Sequence, residues 1–474
     1  MKIHILAFTL LLGSSLFAQN TSLTASYYNK IKSEGDLAKL QFFFSQMPKG
    51  GDVHHHFGGA LYVESYLEWM EEKGYYINTE SLKASKENCM PCISVEQLLG
   101  DSDMSEKVIE RWSIQDYEHT FAYQLPPDQH FFNSFSYFGN REFRDYKEGL
   151  HMLKERALKE NVQYIETMAL TIRIPVSFGE YDERLWHAQD QRDTSGLFSL
   201  LGEIDAKMQG EELNKTVATY IKTLQDYHEG LDQEDFSLRY QSYITRFRNP
   251  SDIFSSLYAS FMSANEDPLI VGVNIVAPEH GRVSMRDYWL HMQMFRYISR
   301  KFPEVNMSLH AGELALGMVK PEDLGYHIHD ALFVAGAHRI GHGIDMPFES
   351  EAVKSLRYMA ANKIPVEVNL TSNEFILGVS GPEHPINLYH EFGVPIIIST
   401  DDPGVSRNNL SSEYTKLGSR YDFNYQEIKG FVYNSIHLSF MSEEDKESSL
   451  RLLDGKFEEF EAMIALHFKN LRKK

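Results

Sequence analysis

The chain has 474 residues, of which 42% are hydrophobic, and a formal net charge of -21 at pH 7. That length and apolar content are enough for a large core, built as two or three domains or as one long barrel domain. The acidic balance argues against nucleic acid or an anionic membrane as a partner, since both need a basic patch on the protein.

The first eighteen residues show the three parts of a secretory signal peptide. Lys2 gives a positive start, an apolar stretch covers 3–12, and Ala18 is a small residue before a predicted cleavage ahead of Gln19. The apolar stretch is too short to span a bilayer, and the alternative is a buried N-terminal strand or helix. We therefore expect an exported protein, periplasmic or secreted, with residues 19–474 as its mature part and no membrane partner.

Eight short apolar runs that end in polar residues predict β-strands. The most apolar of them are rich in Val and Ile, as expected for strands buried on both faces. They lie at 52–56, 162–170, 238–245, 269–276, 305–310, 338–342, 364–370 and 394–400. From the second run onward the intervals mostly hold amphipathic, helix-like sequence, such as 285–301 and 321–335. This alternation predicts an α/β fold, a TIM-like (β/α)8 barrel whose active site lies at the carboxyl ends of the strands.

Two intervals are too long for simple connections, and we interpret them as insertions over or beside the barrel mouth. The insertion after the first strand covers about 70–144 and is rich in aromatic residues, which favours a packed subdomain. The second covers about 177–234 and is polar. Insertions of this length tend to be functional lids or disordered segments. After residue 402 a helical C-terminal tail is predicted, with candidates at 425–441 and 443–469.

Cys89 and Cys92 are the only cysteines and lie in the first insertion. A polar, loop-like run precedes them, whereas a redox C-x-x-C motif follows a strand and begins a helix. Two cysteines also cannot complete a zinc site alone. We interpret the pair as a disulfide within a loop or as two free thiols.

Four residues at the predicted strand ends form a candidate zinc site. His54 and His56 are two residues apart on one strand, so their side chains point to the same face. His310 ends the fifth predicted strand and Asp401 ends the eighth. Three nitrogens and a carboxylate, with one position open for water, are typical of catalytic zinc. For the two histidines alone a simple histidine cluster is the commoner explanation, and the order of the signatures along the strands is the specific evidence.

Five further polar residues at strand ends are candidates for catalysis or binding. His342 could take a proton from the attacking water or hold the resulting hydroxide. Glu313 could give a proton to a ring nitrogen while water attacks the adjacent carbon, and Asp402 could hydrogen-bond a second nitrogen of the substrate. Glu166 and Glu367 could orient a metal ligand or contact substrate. The alternatives are a core histidine, a solvated loop glutamate, a turn cap, and structural hydrogen bonds inside the barrel.

Five motifs, in this order, resemble those of the adenosine deaminase family of zinc amidohydrolases. They are M-P-K-G and H-x-H at 47–56, H-A-G-E at 310–313, R-I-G-H-G at 339–343, E-V-x-x-x-S-N at 367–373 and S-T-D-D-P at 399–403. The insertion after the first strand, with F-R-D-Y at 143–146 and Y-I-E at 164–166, looks most like the secreted adenosine deaminase-related growth factor branch. That branch has an extra insertion implicated in receptor binding and often forms dimers. The resemblance is therefore compatible with a homodimer.

The resemblance implies that zinc is held by His54, His56, His310 and Asp401. It also implies that His342 assists the attacking hydroxide, that Glu313 protonates purine N1, and that Asp402 contacts N7. Water would add to C6 and ammonia would leave.

Two positions depart from the family pattern. Gly58 stands where the family usually has an Asp that can contact the ribose. Ala277 stands where the family has a Gly whose backbone N–H meets purine N3. Both departures fall among the residues that would read the substrate and not among those that would bind metal or move protons.

The leading hypothesis is zinc-dependent hydrolytic deamination of adenosine or a related aminopurine nucleoside, a small-molecule substrate. One alternative is a barrel metallohydrolase acting on an amide or ester. Such enzymes often bridge two metals with a modified Lys, and no Lys ends the fourth predicted strand. Another alternative is a binding or signalling protein that keeps an inactive barrel and would bind a ligand without releasing ammonia.

Overall fold

The structure is a computed structural model that describes residues 2–119 and 124–473, without the side chains of residues 2–17, 119 and 141. Its strands, in chain order, are Gly50–His56 (β1), Tyr76–Asn78 (β2), Ala84–Ser85 (β3), Cys92–Ser94 (β4), Val162–Met168 (β5), Ser237–Thr245 (β6), Ile270–Val276 (β7), Asn306–Ala311 (β8), Arg339–His342 (β9), Val366–Val368 (β10) and Ile396–Ile398 (β11).

Eight parallel strands form the barrel, in the order β1, β5, β6, β7, β8, β9, β10, β11. The first and last strands meet where His55 lies opposite Asp401. There the His56 N–H donates to the Asp401 carbonyl at 2.9 Å, and the Asp401 N–H donates to the His54 carbonyl at 3.0 Å. The predicted TIM-like barrel is therefore confirmed, with each of the eight predicted strands in place.

Helices surround the barrel. The α-helices are Lys2–Glu34 (α1), Leu37–Gln46 (α2), Phe57–Ala60 (α3), Val63–Glu72 (α4), Val95–Leu99 (α5), Ser102–Trp112 (α6), Pro127–Phe138 (α7), Tyr146–Lys159 (α8), Asp182–Asp190 (α9), Thr194–Met208 (α10), Glu211–His228 (α11), Pro250–Glu266 (α12), Arg282–Ser299 (α13), His327–Asp330 (α14), Ala352–Asn362 (α15), Leu370–Leu377 (α16), Ile386–Glu391 (α17), Leu410–Arg420 (α18), Tyr425–His437 (α19) and Glu443–Leu471 (α20). Short 3-10 turns occupy Tyr117–His119, Arg141–Phe143, Gly179–Tyr181, Pro321–Leu324, Met346–Phe348 and Gly381–Glu383, and Ala331–Ala335 is a π-helical turn.

The predicted helix at 321–335 is wrong as one continuous element, because the chain breaks there into a 3-10 turn, α14 and the π-helical turn. The carboxylate of Glu349 accepts hydrogen bonds from the N–H groups of Ile328 and His329, at 2.6 and 3.2 Å. It thereby satisfies donors that a new helix start leaves unpaired. The predicted helix at 285–301 corresponds to α13, and the helical tail consists of α18, α19 and α20.

The first long interval holds a small antiparallel sheet of β3, β2 and β4 together with helices α5, α6 and α7. Cys89 and Cys92 form a disulfide there. The second interval forms α9, α10 and α11, which pack against α12 on the outside of the barrel. The two intervals thus differ in position, since the first contributes side chains of α7 and Arg144 to the central cavity described below, and no described residue of the second lines it.

The N-terminal helix α1 runs through the predicted cleavage point, and its later part packs on α20, where the rings of Tyr27 and Phe468 lie 5.6 Å apart. Residue 1 and the side chains of residues 2–17 lie outside the described part of the chain, so cleavage after Ala18 stays a prediction. Within the described ranges, no helix combines the length and apolar character that crossing a membrane requires.

Candidate metal centre and active-site cavity

The carboxyl ends of β1, β8, β9 and β11 bring five predicted residues together. Ligand atoms of His54, His310, His342 and Asp401 all lie within 4.8 Å of one another. The Nε2 atom of His56 is 3.2 Å from Asp401 Oδ1 and 3.2 Å from His310 Nε2. The Nε2 atom of His54 is buried and has no hydrogen-bond partner among the described residues. Converging nitrogens and a carboxylate, with one buried lone pair left over, fit a zinc ion.

The ring of His54 is oriented by Glu367, one of the weaker sequence candidates. Glu367 Oε2 accepts from His54 Nδ1 at 2.7 Å, and Ser308 and Arg339 hold the same carboxylate. Although burial opposes it, Arg339 and His54 lower the pKa of Glu367 to about 2. With its proton on Nδ1, His54 presents the Nε2 lone pair to the centre, as a carboxylate-held metal ligand does.

The tautomer of His310 is fixed by a hydrogen-bond chain that starts at a backbone amide. The Ile275 N–H donates to Asn274 Oδ1 at 2.8 Å, which identifies that atom as an acceptor. His310 Nδ1 lies 2.9 Å from the same oxygen and must donate to it. The proton of His310 is therefore on Nδ1, and its Nε2 lone pair also points at the centre.

A second chain of hydrogen bonds gives His342 the opposite tautomer, with the proton on Nε2. The Ile386 N–H donates to His384 Nδ1 at 3.1 Å, so the proton of this ring is on Nε2, which donates to Asn373 Oδ1 at 3.3 Å. The amide nitrogen of Asn373 then donates to His342 Nδ1 at 3.0 Å. Burial lowers the pKa values of His342 and His384 to about 3, so both rings are neutral. Neutral His342 consequently carries its proton on Nε2.

The Nε2–H of His342 faces Glu313 Oε1 at 3.9 Å and Asp401 Oδ2 at 4.0 Å. A ring nitrogen that bears a proton cannot coordinate a metal. The hydrogen bonds therefore assign the ring protons of three of the site histidines. Those of His54 and His310 leave a lone pair for metal, whereas that of His342 leaves a donor beside the centre.

Three residues at this end of the barrel have left-handed backbone, which is unusual for residues other than glycine. The φ angles are 87° at Ala277, 67° at His342 and 66° at Asp401. Each costs on the order of 1 kcal/mol, and such strain concentrates at functional sites. Ala277 thus keeps the backbone conformation that a glycine would adopt without strain, at one of the two positions that depart from the family pattern.

Glu313 is held by a second glutamate that the sequence analysis did not single out. The carboxylate of Glu279 accepts from the N–H groups of Gly312 and Glu313, at 3.1 and 2.8 Å. Glu279 is itself buried and paired with Arg246 and His327, at 3.7 and 2.5 Å. This arrangement fixes the backbone that carries Glu313.

The side chain of Glu313 is 7% exposed. Burial, with Asp401 and Glu279 nearby, raises its pKa well above the usual range. This shift favours the carboxylic acid form of Glu313, with a proton to donate, beside the histidine cluster. This is the protonation state that a general acid needs.

Asp402 also lies at the centre, with ligand atoms of Asp402, His56 and Asp401 within 4.8 Å of one another, and it has an unpaired oxygen. Its Oδ1 is buried without a hydrogen-bond partner among the described residues. The neighbouring backbone makes room for it only because residue 59 is glycine, since a Cβ there would lie 1.6 Å from Asp402 Oδ1. Asp402 can therefore hydrogen-bond to a molecule in the cavity.

The cavity above the centre has a volume of about 620 Å³. Aromatic side chains of α7 form one wall, and the turn after β7 forms part of another. Its lining includes His56, Gly58, Gly59, Phe131, Phe132, Phe135, Arg144, Arg173, Ala277, His310, Glu313, His342, Asp401 and Asp402. A flat heteroaromatic ring fits such a space, because it can pack on the aromatic wall while its polar edge meets the acids.

Glu166 is a predicted substrate-binding residue that the structure places elsewhere. It is fully buried inside the barrel, where Oε2 pairs with Arg339 Nη2 at 2.5 Å. Its Oε1 accepts from the Phe440 N–H at 2.7 Å and the Tyr164 hydroxyl at 3.0 Å. Both oxygens are used and neither lines the cavity, so the alternative of a structural hydrogen bond inside the barrel is the one that the structure supports.

Sequence reasoning missed four residues that orient others, Asn274, Glu279, Asn373 and His384, and the cavity-lining Arg144. Neutral amides and a remote histidine carry no pattern of their own. The available signals were weak, namely the S-N pair that ends the motif at 367–373 and the F-R-D-Y run at 143–146.

Comparison with known proteins gives one family. The family model described as adenosine deaminase matches residues 213–456. The chain is 33% identical to an adenosine deaminase of Clostridium acetobutylicum over 151 residues, 32% of this chain and 42% of that protein. It is 23% identical to an adenosine deaminase of Clostridium perfringens over 400 residues, 84% of this chain and 95% of that protein. The chain spans less than half the length of the first two curated relatives it matches, 42% and 41%.

Solved structures share the fold at low sequence identity. The N6-mAMP deaminase of Arabidopsis superposes with a TM-score of 0.54 at 18% identity, covering 87% of this chain and 99% of that one. An amidohydrolase of Burkholderia ambifaria with bound Zn gives a TM-score of 0.54 at 16% identity, covering 90% and 94%. At such identities the likeness concerns the barrel architecture alone.

Proposed function

The chain belongs to the adenosine deaminase family, and on this premise we propose that it hydrolyses the C–N bond of an aminopurine nucleoside and releases ammonia. The observation that carries the proposal is the position of Glu313, a buried carboxyl with a raised pKa that lies 3.9 Å from His342 Nε2 at the edge of the histidine and aspartate cluster. Hydrolysis of an aromatic amine needs such a proton donor, because the ring nitrogen must gain a proton as water adds to the adjacent carbon.

We propose zinc as the metal, held by His54, His56, His310 and Asp401. The nitrogen-rich donor set supports this choice, and the Burkholderia ambifaria structure with the same fold contains Zn. When bound, zinc would supply a Lewis acid that brings the pKa of water toward neutrality.

The remaining steps use side chains of the chain itself. The Nε2–H of His342 donates a hydrogen bond to the oxygen that adds to the ring carbon, which stabilises charge on that oxygen. Glu313 gives its proton to the adjacent ring nitrogen. Of the two protons of the attacking water, one goes to the amino group, which leaves as ammonia when the C–N bond breaks, and the other returns to Glu313. Asp402, with its unpaired Oδ1, hydrogen-bonds to a second ring nitrogen and fixes the orientation of the purine. The aromatic wall of α7 packs on the ring and excludes water.

The test is ammonia release by purified, zinc-loaded protein offered adenosine, deoxyadenosine, adenine, AMP and guanosine. Turnover of any aminopurine, abolished by a chelator and restored by zinc, would support the proposal. If no aminopurine releases ammonia, the proposal is wrong. Hydrolysis of amide or ester substrates would then indicate a different metallohydrolase, and tight purine binding without turnover would indicate an inactive barrel with a binding role.

We also propose that the protein is exported, that it loses residues 1–18, and that it resembles the growth factor branch in forming a dimer. The signal-peptide pattern and the long insertion after β1 support these proposals. Mass spectrometry of the protein recovered outside the cytoplasm would locate its first residue, which we expect to be Gln19. Light scattering after gel filtration would give the mass of the assembly.

A further inference from the structure

Two arginines line the cavity without a carboxylate partner. Arg144, partly buried, and Arg173, exposed at the rim, form no ion pair with any described acidic residue, although acidic residues outnumber basic ones by 67 to 46 in this chain. The Nε atom of Arg144 is buried and has no hydrogen-bond partner in the described part of the chain. An arginine that lacks a counter-ion in so acidic a protein indicates that the counter-ion comes with the ligand.

The position of Arg144 depends on Gly58. A Cβ at residue 58 would lie 2.6 Å from Arg144 Nη2, just as a Cβ at residue 59 would lie 1.6 Å from Asp402 Oδ1. Consecutive Cα atoms are about 3.8 Å apart. Two adjacent glycines therefore make room for a guanidinium and for an acid of the proposed reaction, which places the guanidinium in the same cavity as the reacting end of the substrate.

The other neighbours of Arg144 keep its charge in place without neutralising it. The ring of Tyr66 lies under the guanidinium with its centroid 5.9 Å away, and Tyr146 and Tyr243 are also close. Tyr66 is itself fixed, because its hydroxyl donates to the Gly58 carbonyl at 2.7 Å. Tyr66 and Tyr146 are hydrogen-bond partners of the guanidinium, but their phenol oxygens are neutral, so the positive charge of Arg144 stays uncompensated for an oxyanion.

The rim of the cavity continues this basic character. Arg173 lies beside Asn140, Gly139 and Thr171 around a second opening that adjoins the main cavity. Arg248 is also near Arg173, but it is paired with Asp252 at 3.3 Å and does not line the cavity. The three acids that line the main cavity, Glu313, Asp401 and Asp402, all belong to the candidate active site. The acids of the cavity are therefore confined to the candidate active site, and Arg144 and Arg173 are the two arginines in the rest of its lining, which is largely neutral.

We propose that Arg144, assisted by Arg173, forms an anion subsite for a phosphate ester on the substrate, so that the preferred substrate is an aminopurine nucleoside monophosphate and not the neutral nucleoside. This inference rests on the proposed deamination and specifies its substrate class. A guanidinium binds a phosphate through two parallel hydrogen bonds. A neutral sugar hydroxyl would leave most of the Arg144 donors unpaired, at a cost in affinity.

The binding test uses the two reaction products, IMP and inosine, because they differ only in the phosphate and are not consumed. Calorimetric titration of the zinc-loaded full chain should give IMP at least a tenfold lower Kd than inosine, since a charge-assisted hydrogen bond is worth about that much. The ratio should shrink as salt is added. Equal affinity for both products would overturn the anion subsite.

Matched variants assign the subsite to its residues. Arg144→Gln should bring the affinity ratio below about threefold, and Gly58→Ala should lower it as well by displacing the guanidinium. Arg451→Gln, an exposed arginine on α20, should leave the ratio unchanged. If Arg144→Gln keeps the wild-type ratio while it folds and binds zinc normally, the assignment to Arg144 is wrong.

Ammonia release from AMP and adenosine separates this inference from the proposed function. We expect a higher kcat/KM for AMP, with a difference that Arg144→Gln removes. Faster turnover of adenosine than of AMP would overturn the subsite and leave deamination standing. Tighter binding of IMP than of inosine, without ammonia from any of the five aminopurines offered, would overturn deamination and leave the subsite standing.

Discussion

Replacing Asn373 with aspartate tests whether His342 acts as a hydrogen-bond donor or as a base. In the wild-type chain the Asn373 amide donates to His342 Nδ1 at 3.0 Å and accepts from His384 at 3.3 Å. A carboxylate has nearly the same shape and can still accept from His384, but it cannot donate. Asn373→Asp therefore forces the proton of a neutral His342 onto Nδ1 and leaves a lone pair on Nε2.

We expect kcat to fall because Nε2 of His342 would no longer donate a hydrogen bond. Removing one preorganised donor to a developing oxyanion costs about 100-fold or more in kcat, which is ~2.7 kcal/mol of barrier. The new lone pair adds a second cost, because it faces Asp401 Oδ2 at 4.0 Å where an N–H faced it before. We therefore expect at least a 100-fold lower kcat, with the unfolding temperature and zinc content close to those of the wild type.

The assay is steady-state ammonia release, with zinc content measured on the same samples and the ring nitrogens of His342 followed by ¹⁵N NMR. Asn369→Asp is the charge-matched control, because Asn369 Nδ2 lies 3.5 Å from the same ring nitrogen, at the limit of a hydrogen bond. It should cost less than Asn373→Asp. If Asn373→Asp moves the proton to Nδ1 yet keeps kcat within about threefold of wild type, His342 works through its lone pair and our reasoning is wrong.

Four further outcomes can be measured. Glu313→Gln should keep zinc and lower kcat by at least about 100-fold, since the amide has no acidic proton; substantial activity in that variant would remove Glu313 as the donor. Gly59→Ala should abolish most activity and lower the unfolding temperature, because its Cβ would lie 1.6 Å from Asp402 Oδ1; wild-type kinetics would show that Asp402 is dispensable. Burial raises the pKa of Glu349 from an ordinary value of 4.5 to about 7. The protonated side chain is therefore the form that the folded protein favours. Its contribution to the free energy of unfolding is complete below about pH 4.5 and is lost as the pH rises through 7. Glu349→Gln should therefore be more stable than wild type near pH 8, by roughly 2 kcal/mol, and equal to it near pH 5; parallel stability curves would contradict this. Removing metal with a chelator should lower the unfolding temperature in proportion to the affinity lost, and an unchanged melting curve would mean that the centre binds no metal.

The barrel could be predicted from sequence because each of its strands is a short apolar run, and most of them lie between amphipathic helices. The candidate ligands could be predicted because they follow such runs directly. The break within 321–335 could not, because it depends on Glu349 reaching back to the amides of Ile328 and His329. The hydrophobic periodicity of a segment does not reveal a side chain that caps a helix from about twenty residues away.

The position of the proton on His342 could also not be predicted from sequence. Whether His342 offers a lone pair or an N–H depends on which atom of Asn373 faces it, and that depends on the backbone N–H of Ile386 two contacts away. The contact between Gly58 and Arg144 could not be predicted either. The guanidinium of Arg144 occupies the space that a side chain at residue 58 would need, and the two residues lie on different segments of the chain. Such information exists only in the packed structure.

The closure of the barrel has a consequence for how the protein matures. The first and last barrel strands meet at His55 and Asp401, and Asp52 bonds to Thr400 across 348 residues of chain. Two proposed ligands lie on the first strand and one directly follows the last, so the same ion would join both sides of this seam. During synthesis the centre stays incomplete until the final strand has emerged, and contacts so distant in sequence form late. Metal supply would then govern the yield of closed barrels, and a shortage of zinc would leave an open sheet edge exposed to aggregation.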